Sequence, residues 1–233
     1  MPPRLTIVSP CYNEEATLPH SANELSAFLE RMISLGKVTP ESRILFVNDG
    51  SQDQTWPIIK ELHSTNALID GLSLSGNVGH QSAIMAGMLA AREYSDAVVT
   101  IDADLQDDLN AVEEMLDRLA EGYDIVYGVK ESRMADPFLK RTTALTFYRL
   151  QRSMGIKAIF NHADFRLLSR QALDALAQYP ERNLYLRGLI PQLGFRSTTV
   201  KDIIRERTAG SSKYTLRKML LLAVDGITSF TTR

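Results

Sequence analysis

The chain has 233 residues, 44% of them hydrophobic and 23% charged, with one cysteine and a formal net charge of −2. That length suits one large domain, or one domain with an appendage, and the composition suits a globular fold with a sizeable core. A lone Cys11 excludes an intramolecular disulfide and a cysteine zinc cluster, no stretch reaches the roughly 20 apolar residues of a membrane span, and nothing marks a nucleic-acid binder.

The opening MPPRLTIVSP enters a strand pattern at once and lacks the apolar core of a signal peptide. RLTIVSP, RILFVNDG, GLSLSG, DAVVTIDAD and YDIVYGV read as strands bounded by Gly, Asn, Asp or Pro. Helical patterns lie between them at roughly 14–35, 52–65, 79–94 and 108–121, the last with Val112, Met115, Leu116 and Leu119 on one face. This alternation predicts a mostly parallel sheet with helices on both faces. Ligands of such sheets bind beyond the carboxyl ends of the strands. Four polar clusters fall there: Tyr12–Glu14, Asn48–Ser51, Gly76–Gly79 and Asp102–Asp104.

After about residue 130 the alternation stops. A basic helical pattern over 137–155 is followed by NHADFRLLSRQAL, RNLYLRGLIPQLGF and a strand-like TTVKDIIRER. The remainder places Leu216, Met219, Leu220, Ala223 and Ile227 on one face of an amphipathic tail helix. The expected layout is a catalytic domain over 1–210 and this tail over 211–233. Charge is uneven: Val200–Arg233 holds seven basic against three acidic residues, and Lys130–Arg152 six against two. Such segments suit an anionic partner or a solvated helix face.

The stretch TIDADLQDD, Thr100–Asp108, sets four acids directly after a β-branched run. There is no Gly-x-Gly-x-x-Gly after the first strand, no phosphate-loop motif and no Gly-x-Ser-x-Gly elbow. Asp-x-Asp at a strand end suits Mg²⁺ or Mn²⁺, hard cations that take one or two carboxylates plus substrate phosphates. Asp102 and Asp104 are the candidate ligands, with the Gln106 amide oxygen beside them, and a nucleotide diphosphate is the implied ligand. Asp108 reads as the cap of the following helix.

VSPCYNEE, VNDGSQDQT, GNVGHQSAIMAG and TIDADLQD, in this order, resemble family 2 glycosyltransferases of the GT-A fold. HADFRLLSR, NLYLRGLIPQLGF and RERTAGSSKYTLRKM resemble the branch that moves a sugar from a nucleotide to a polyprenyl phosphate, as in dolichol-phosphate mannose synthases and bactoprenol-phosphate glucosyltransferases. The resemblance covers essentially the whole chain, and the GHQ spelling at Gly79–Gln81 is similar to bacterial members. It implies that Pro10, Tyr12 and Glu14 hold the nucleoside, that Asp49 contacts the base, and that Asp102 and Ala103 touch the nucleotide. Asp102, Asp104 and Gln106 would hold the metal on the diphosphate. Asp164 matches the acid usually proposed as catalytic. Arg207 and Lys213 match basic residues near the diphosphate and acceptor phosphate, and Lys130 and Lys140 fall where the family keeps basic residues for the acceptor.

Plainer roles stand beside these: core packing for Tyr12, helix capping for Asp49, a loop hydrogen bond for His80, and a surface charge for Arg207. Two positions depart from the family pattern. Cys11 replaces a small aliphatic residue, and Asp108 stands where proline usually follows Leu-Gln-Asp. The implied reaction is an inverting displacement at the anomeric carbon, with a UDP-sugar favoured as donor and undecaprenyl phosphate as acceptor. It would run at the cytoplasmic face of a bacterial inner membrane, by a protein that docks on the membrane surface and can form a homo-oligomer. Transfer to a saccharide hydroxyl, an idle nucleotide-sugar binding module and a membrane-surface adaptor are the rival readings.

Overall fold

The apolar runs become strands because continuous β-branched stretches fit a sheet buried on both faces. The computed structural model describes residues 1–130, 162–179 and 186–203. In chain order these form β1 (Leu5–Cys11), α1 (Leu18–Ser34), β2 (Arg43–Asn48), α2 (Thr55–Thr65), β3 (Ile69–Ser73), α3 (His80–Arg92), β4 (Ala97–Thr100), α4 (Leu109–Ala120) and β5 (Ile125–Lys130). Then come β6 (His162–Ser169), α5 (Arg170–Leu176), α6 (Leu186–Gln192) and β7 (Ser197–Asp202). The pattern at 137–155, Lys140, Arg207, Lys213 and the 211–233 tail lie outside the described residues.

The seven strands form one sheet in the order β3-β2-β1-β4-β6-β5-β7. Every pairing is parallel except those of β6, which runs antiparallel to both β4 and β5. The mixed α/β fold with a mostly parallel sheet is therefore as expected. The insertion of β6 between β4 and β5 was not legible, because Asp164 and Arg166 interrupt its apolar run.

Side-chain alternation along each strand feeds two cores. Leu5, Ile7, Ile44, Phe46, Val99, Phe165 and Leu167 pack with α1, α2 and α4 on one face. Val8, Leu45, Val47, Val98, Tyr127 and Leu168 pack with α3, α5 and α6 on the other. In α4 the expected stripe is observed: Val112, Met115 and Leu116 are buried, and Leu119 packs against them partly buried.

Helix α3 comes unusually close to the sheet. A Cβ on Gly87 would lie 2.4 Å from Val8 Cγ1 and 2.8 Å from Val47 Cγ2, both on buried β-branched side chains with no room to yield. On an exposed helix alanine would be the better residue by roughly 0.5–1 kcal/mol, but here overpacking decides the sign. Gly87→Ala is expected to destabilise the fold by about 1–3 kcal/mol, read as a lower urea midpoint at unchanged denaturant slope.

Candidate active site

Strand register brings the chemistry to one edge. Thr100, the last residue of β4, pairs with Arg166 of antiparallel β6. Continuing that register sets Asp102, just past β4, opposite Asp164, near the start of β6. The Thr100 hydroxyl donates to the Asp164 carbonyl and, at 3.4 Å, to that of Arg166, fixing the two strands at this point.

Asp164 is the centre of the arrangement, with only 5% of its side chain exposed. Arg166 Nη2 lies 2.6 Å from its Oδ1. Arg187 of α6 donates from Nη2 to Oδ2 at 3.1 Å and from Nε to Oδ1 at 3.3 Å. Gln81, the second residue of α3, donates from Nε2 to Oδ2 at 2.9 Å. Burial alone would raise the Asp164 pKa, but His80, Arg187 and Arg166 outweigh it and hold the carboxyl well below its usual range. Arg166 is itself 1% exposed, so the pair is a buried ion pair in mid-sheet.

His80, the first residue of α3, bridges the two acid positions. Its Nε2 lies 3.5 Å from Asp102 Oδ1 and 3.5 Å from Asp164 Oδ2. Burial pulls its pKa down, yet the hydrogen bond to Asp164 and the charge of Asp102 win, and the imidazole is held toward its protonated form. Asp102 is shifted upward, first by desolvation and then, against the pull of His80, by the negative charges of Asp164 and Asp104.

The DAD turn is held by its neighbours. Leu105 takes a positive φ of 49°, and its N–H bonds the Asp102 carbonyl at 3.1 Å. The buried Ala103 accepts at its carbonyl from Ser21 of α1 at 2.5 Å. Asp108 caps α4 as expected, accepting from the Asn110 N–H at 3.1 Å, and donates its own N–H to Asp202 of β7 at 2.9 Å. That second bond accounts for the missing proline, which has no N–H to give. The buried Asp107 is pushed up to about 8, chiefly by desolvation and by Asp102, against the pull of Lys130, whose Nζ lies 3.6 Å away at the end of β5.

The expected nucleoside positions lie across the sheet. Pro10 is buried near the end of β1, paired with Val47, and Tyr12 follows it 39% exposed. Glu14 accepts from the Thr17 hydroxyl at 2.8 Å. The Asp49 carboxylate is buried and accepts the N–H groups of Val78 and Gly79, at 2.7 and 3.0 Å, so it ties the end of β2 to the loop entering α3. Gly50 makes that approach possible: its φ is +64°, and a Cβ would lie 2.5 Å from the Asn77 nitrogen. Cys11 is buried and its thiol is pushed up by desolvation, in keeping with an apolar packing role.

Among the described residues no three His, Cys, Asp or Glu side chains converge tightly enough to hold a metal by themselves. The donor set nonetheless fits Mg²⁺ or Mn²⁺, which need few protein carboxylates when phosphate oxygens complete the shell. Asp102 and Asp104 are both only part-buried, and their mutual repulsion is what a divalent cation would offset.

Gln81, Arg166 and Arg187 were not among the expected site residues. Arg166 carried a local signal, an arginine two positions from an aspartate in an apolar run and therefore on the same strand face. Gln81 and Arg187 carried none, because their partner Asp164 is distant in sequence.

A mixed sheet of this order is the fold of solved GT-A glycosyltransferases. Residues 6–177 match the family described as Glycosyl transferase family 2, and the chain belongs to that family. It is 49% identical over 228 residues to the uncharacterized glycosyltransferase YkoT of Bacillus subtilis (strain 168), covering 98% of this chain and 68% of that protein. It is 36% identical over 231 residues to the bactoprenol glucosyl transferase of Shigella phage SfV, covering 98% of this chain and 72% of that protein. The fold is shared with the mannosyltransferase PcManGT from Pyrobaculum calidifontis, solved with GDP-Man and Mn²⁺, at a TM-score of 0.63 and 17% identity. That match covers 99% of this chain and 63% of the other.

Removing one partner of a buried pair leaves the other charge uncompensated. Asp164→Asn is expected to destabilise the protein by about 3–5 kcal/mol near neutral pH. Because the folded pKa of Asp164 lies below its unfolded value of about 3.9, its contribution is fully present above that value and is lost as pH falls below it. Urea midpoints between pH 6 and 2.5 should therefore fall more steeply in the wild type than in Asp164→Asn.

Proposed function

We propose that this glycosyltransferase transfers a hexose, with inversion, from a nucleotide-diphosphate sugar to a polyprenyl phosphate at a membrane surface. The observation that carries the choice of acceptor is the state of Asp164. A saccharide hydroxyl needs a base of matched pKa, whereas a carboxylate paired with two arginines is a poor one. A phosphate monoester, with its second pKa near about 6, is already largely ionised at neutral pH and needs no such base. The similarity to bactoprenol glucosyl transferases supports the same acceptor and favours UDP-glucose as donor, with UDP-N-acetylglucosamine as the next candidate.

In this reading Pro10, Tyr12, Glu14 and Asp49 flank the nucleoside, with Ala103 beside the nucleotide. Asp102, Asp104 and Gln106 would hold Mg²⁺ or Mn²⁺, which when bound stabilises charge on the departing diphosphate. The Mn²⁺ in the PcManGT complex supports a divalent ion in this fold. An acceptor phosphate oxygen attacks the anomeric carbon as the bond to the nucleoside diphosphate breaks, and that bond's electrons leave with the diphosphate. Asp164, fixed by its arginines, orients the reacting groups rather than taking a proton. Lys130, with Lys140, Arg207 and Lys213 beyond the described residues, supplies positive charge for the phosphates. Basic residues near anionic lipid contribute about 1 kcal/mol each to docking at the cytoplasmic face. No helix among the described residues is long and apolar enough to cross a membrane.

The test is nucleotide release from UDP- and GDP-sugars with Mn²⁺ or Mg²⁺, with and without a short polyprenyl phosphate. Release should require both metal and lipid phosphate and should be lost in Asp104→Ala. Release stimulated instead by soluble saccharides would overturn the acceptor assignment. The wild-type kcat/KM should fall below about pH 6, following the acceptor's second ionisation, and stay flat from about pH 7 to 8.5.

A further inference from the structure

Gln81 joins three elements that the sequence separates widely. Its Nε2 donates to Asp164 Oδ2 of β6 at 2.9 Å, and its Oε1 accepts from the backbone N–H of Leu186, the first residue of α6, at 3.0 Å. The amide has one workable orientation: the carboxylate demands a donor and the N–H an acceptor. Asp164 also meets His80, Arg166 and Arg187, and Arg187 follows Leu186 directly on α6.

Arg166 and Arg187 already hold the carboxylate on both oxygens, and Gln81 adds the one bond that comes from α3. The Gln81 N–H ties the carboxylate oxygen nearest His80 to α3, and the Leu186 bond ties α3 to the helix that carries Arg187. Gln81 is itself steadied from the nucleoside side, since the Asp49 carboxylate holds the Val78 and Gly79 N–H groups at the entry to α3. We infer that Gln81 is a positioning residue of the transfer reaction, fixing the orientation of Asp164 and the placement of Arg187 through one side-chain amide. The inference rests on the proposed transferase reading, in which Asp164 faces the reacting groups.

Two substitutions separate its contacts. Gln81→Leu removes both. Gln81→Glu keeps an acceptor for Leu186 but sets a second carboxylate against Asp164, among His80, Asp102, Arg166 and Arg187. A lost hydrogen bond to a charged group corresponds to about a 10- to 100-fold fall in kcat. Both variants should show it at pH 8, with the KM for the nucleotide sugar unchanged. Hydrogen exchange at the Leu186 amide should quicken in Gln81→Leu and stay protected in Gln81→Glu.

Wild-type kcat in Gln81→Glu at pH 8, with Leu186 still protected, would overturn the inference and leave Gln81 as a strut for α6 alone. Wild-type kcat and exchange in Gln81→Leu would remove both contacts. The wild-type rate with lipid phosphate decides the transferase reading separately. The exchange measurement needs no acceptor, so it decides the Leu186 contact even where the wild type releases no nucleotide.

Discussion

The buried pair of Asp164 and Arg166 governs the rest of the site. Two ionised groups on one face of a central strand are costly to desolvate, and their attraction offsets that cost only with close geometry and further hydrogen bonds. Those bonds come from Gln81, Arg187 and the Leu186 carbonyl, which accepts from Arg166 Nη1 at 3.4 Å. The pair therefore gathers α3 and α6 at the start of β6.

The same pair shapes the chemistry. A carboxylate so strongly stabilised as an anion is unsuited to taking a proton, yet it is a rigid, fixed negative charge. Asp102, by contrast, meets like charges from Asp164 and Asp104, opposed by the pull of His80 and Lys130. Two acids thus lie in opposite environments: one paired with two arginines, the other raised by burial and by like charges. This division follows from β6 running antiparallel beside β4, since only that direction sets its first residues against the end of β4.

The α3 entry links the end of β2 to Asp164 of β6. Asp49, at the end of β2, holds the loop before α3, and His80 and Gln81 at the start of α3 hold Asp164. Gly50 and Gly87 allow this packing, one by letting the loop backbone pass close and the other by letting α3 sit against β1 and β2. Small residues here are tied to the site rather than to local turn preference.

Much of the architecture is written locally. Strands β1 to β5, helices α1 to α4, the apolar stripe of α4 and the Asp108 cap were all legible, because periodicity and capping depend on residues within a turn or a strand of one another. The strand-like run that becomes β7 and the acids at the end of β4 were legible for the same reason. What only the tertiary structure decided was the antiparallel placement of β6 and the partners it gathers. Arg166 looks like a break in a strand until Asp164 neutralises it, and Gln81 looks like an ordinary helix residue until the fold brings β6 and α6 to it. Hydrophobic patterning records which face is buried. It does not record which distant charge makes burial of an ion tolerable.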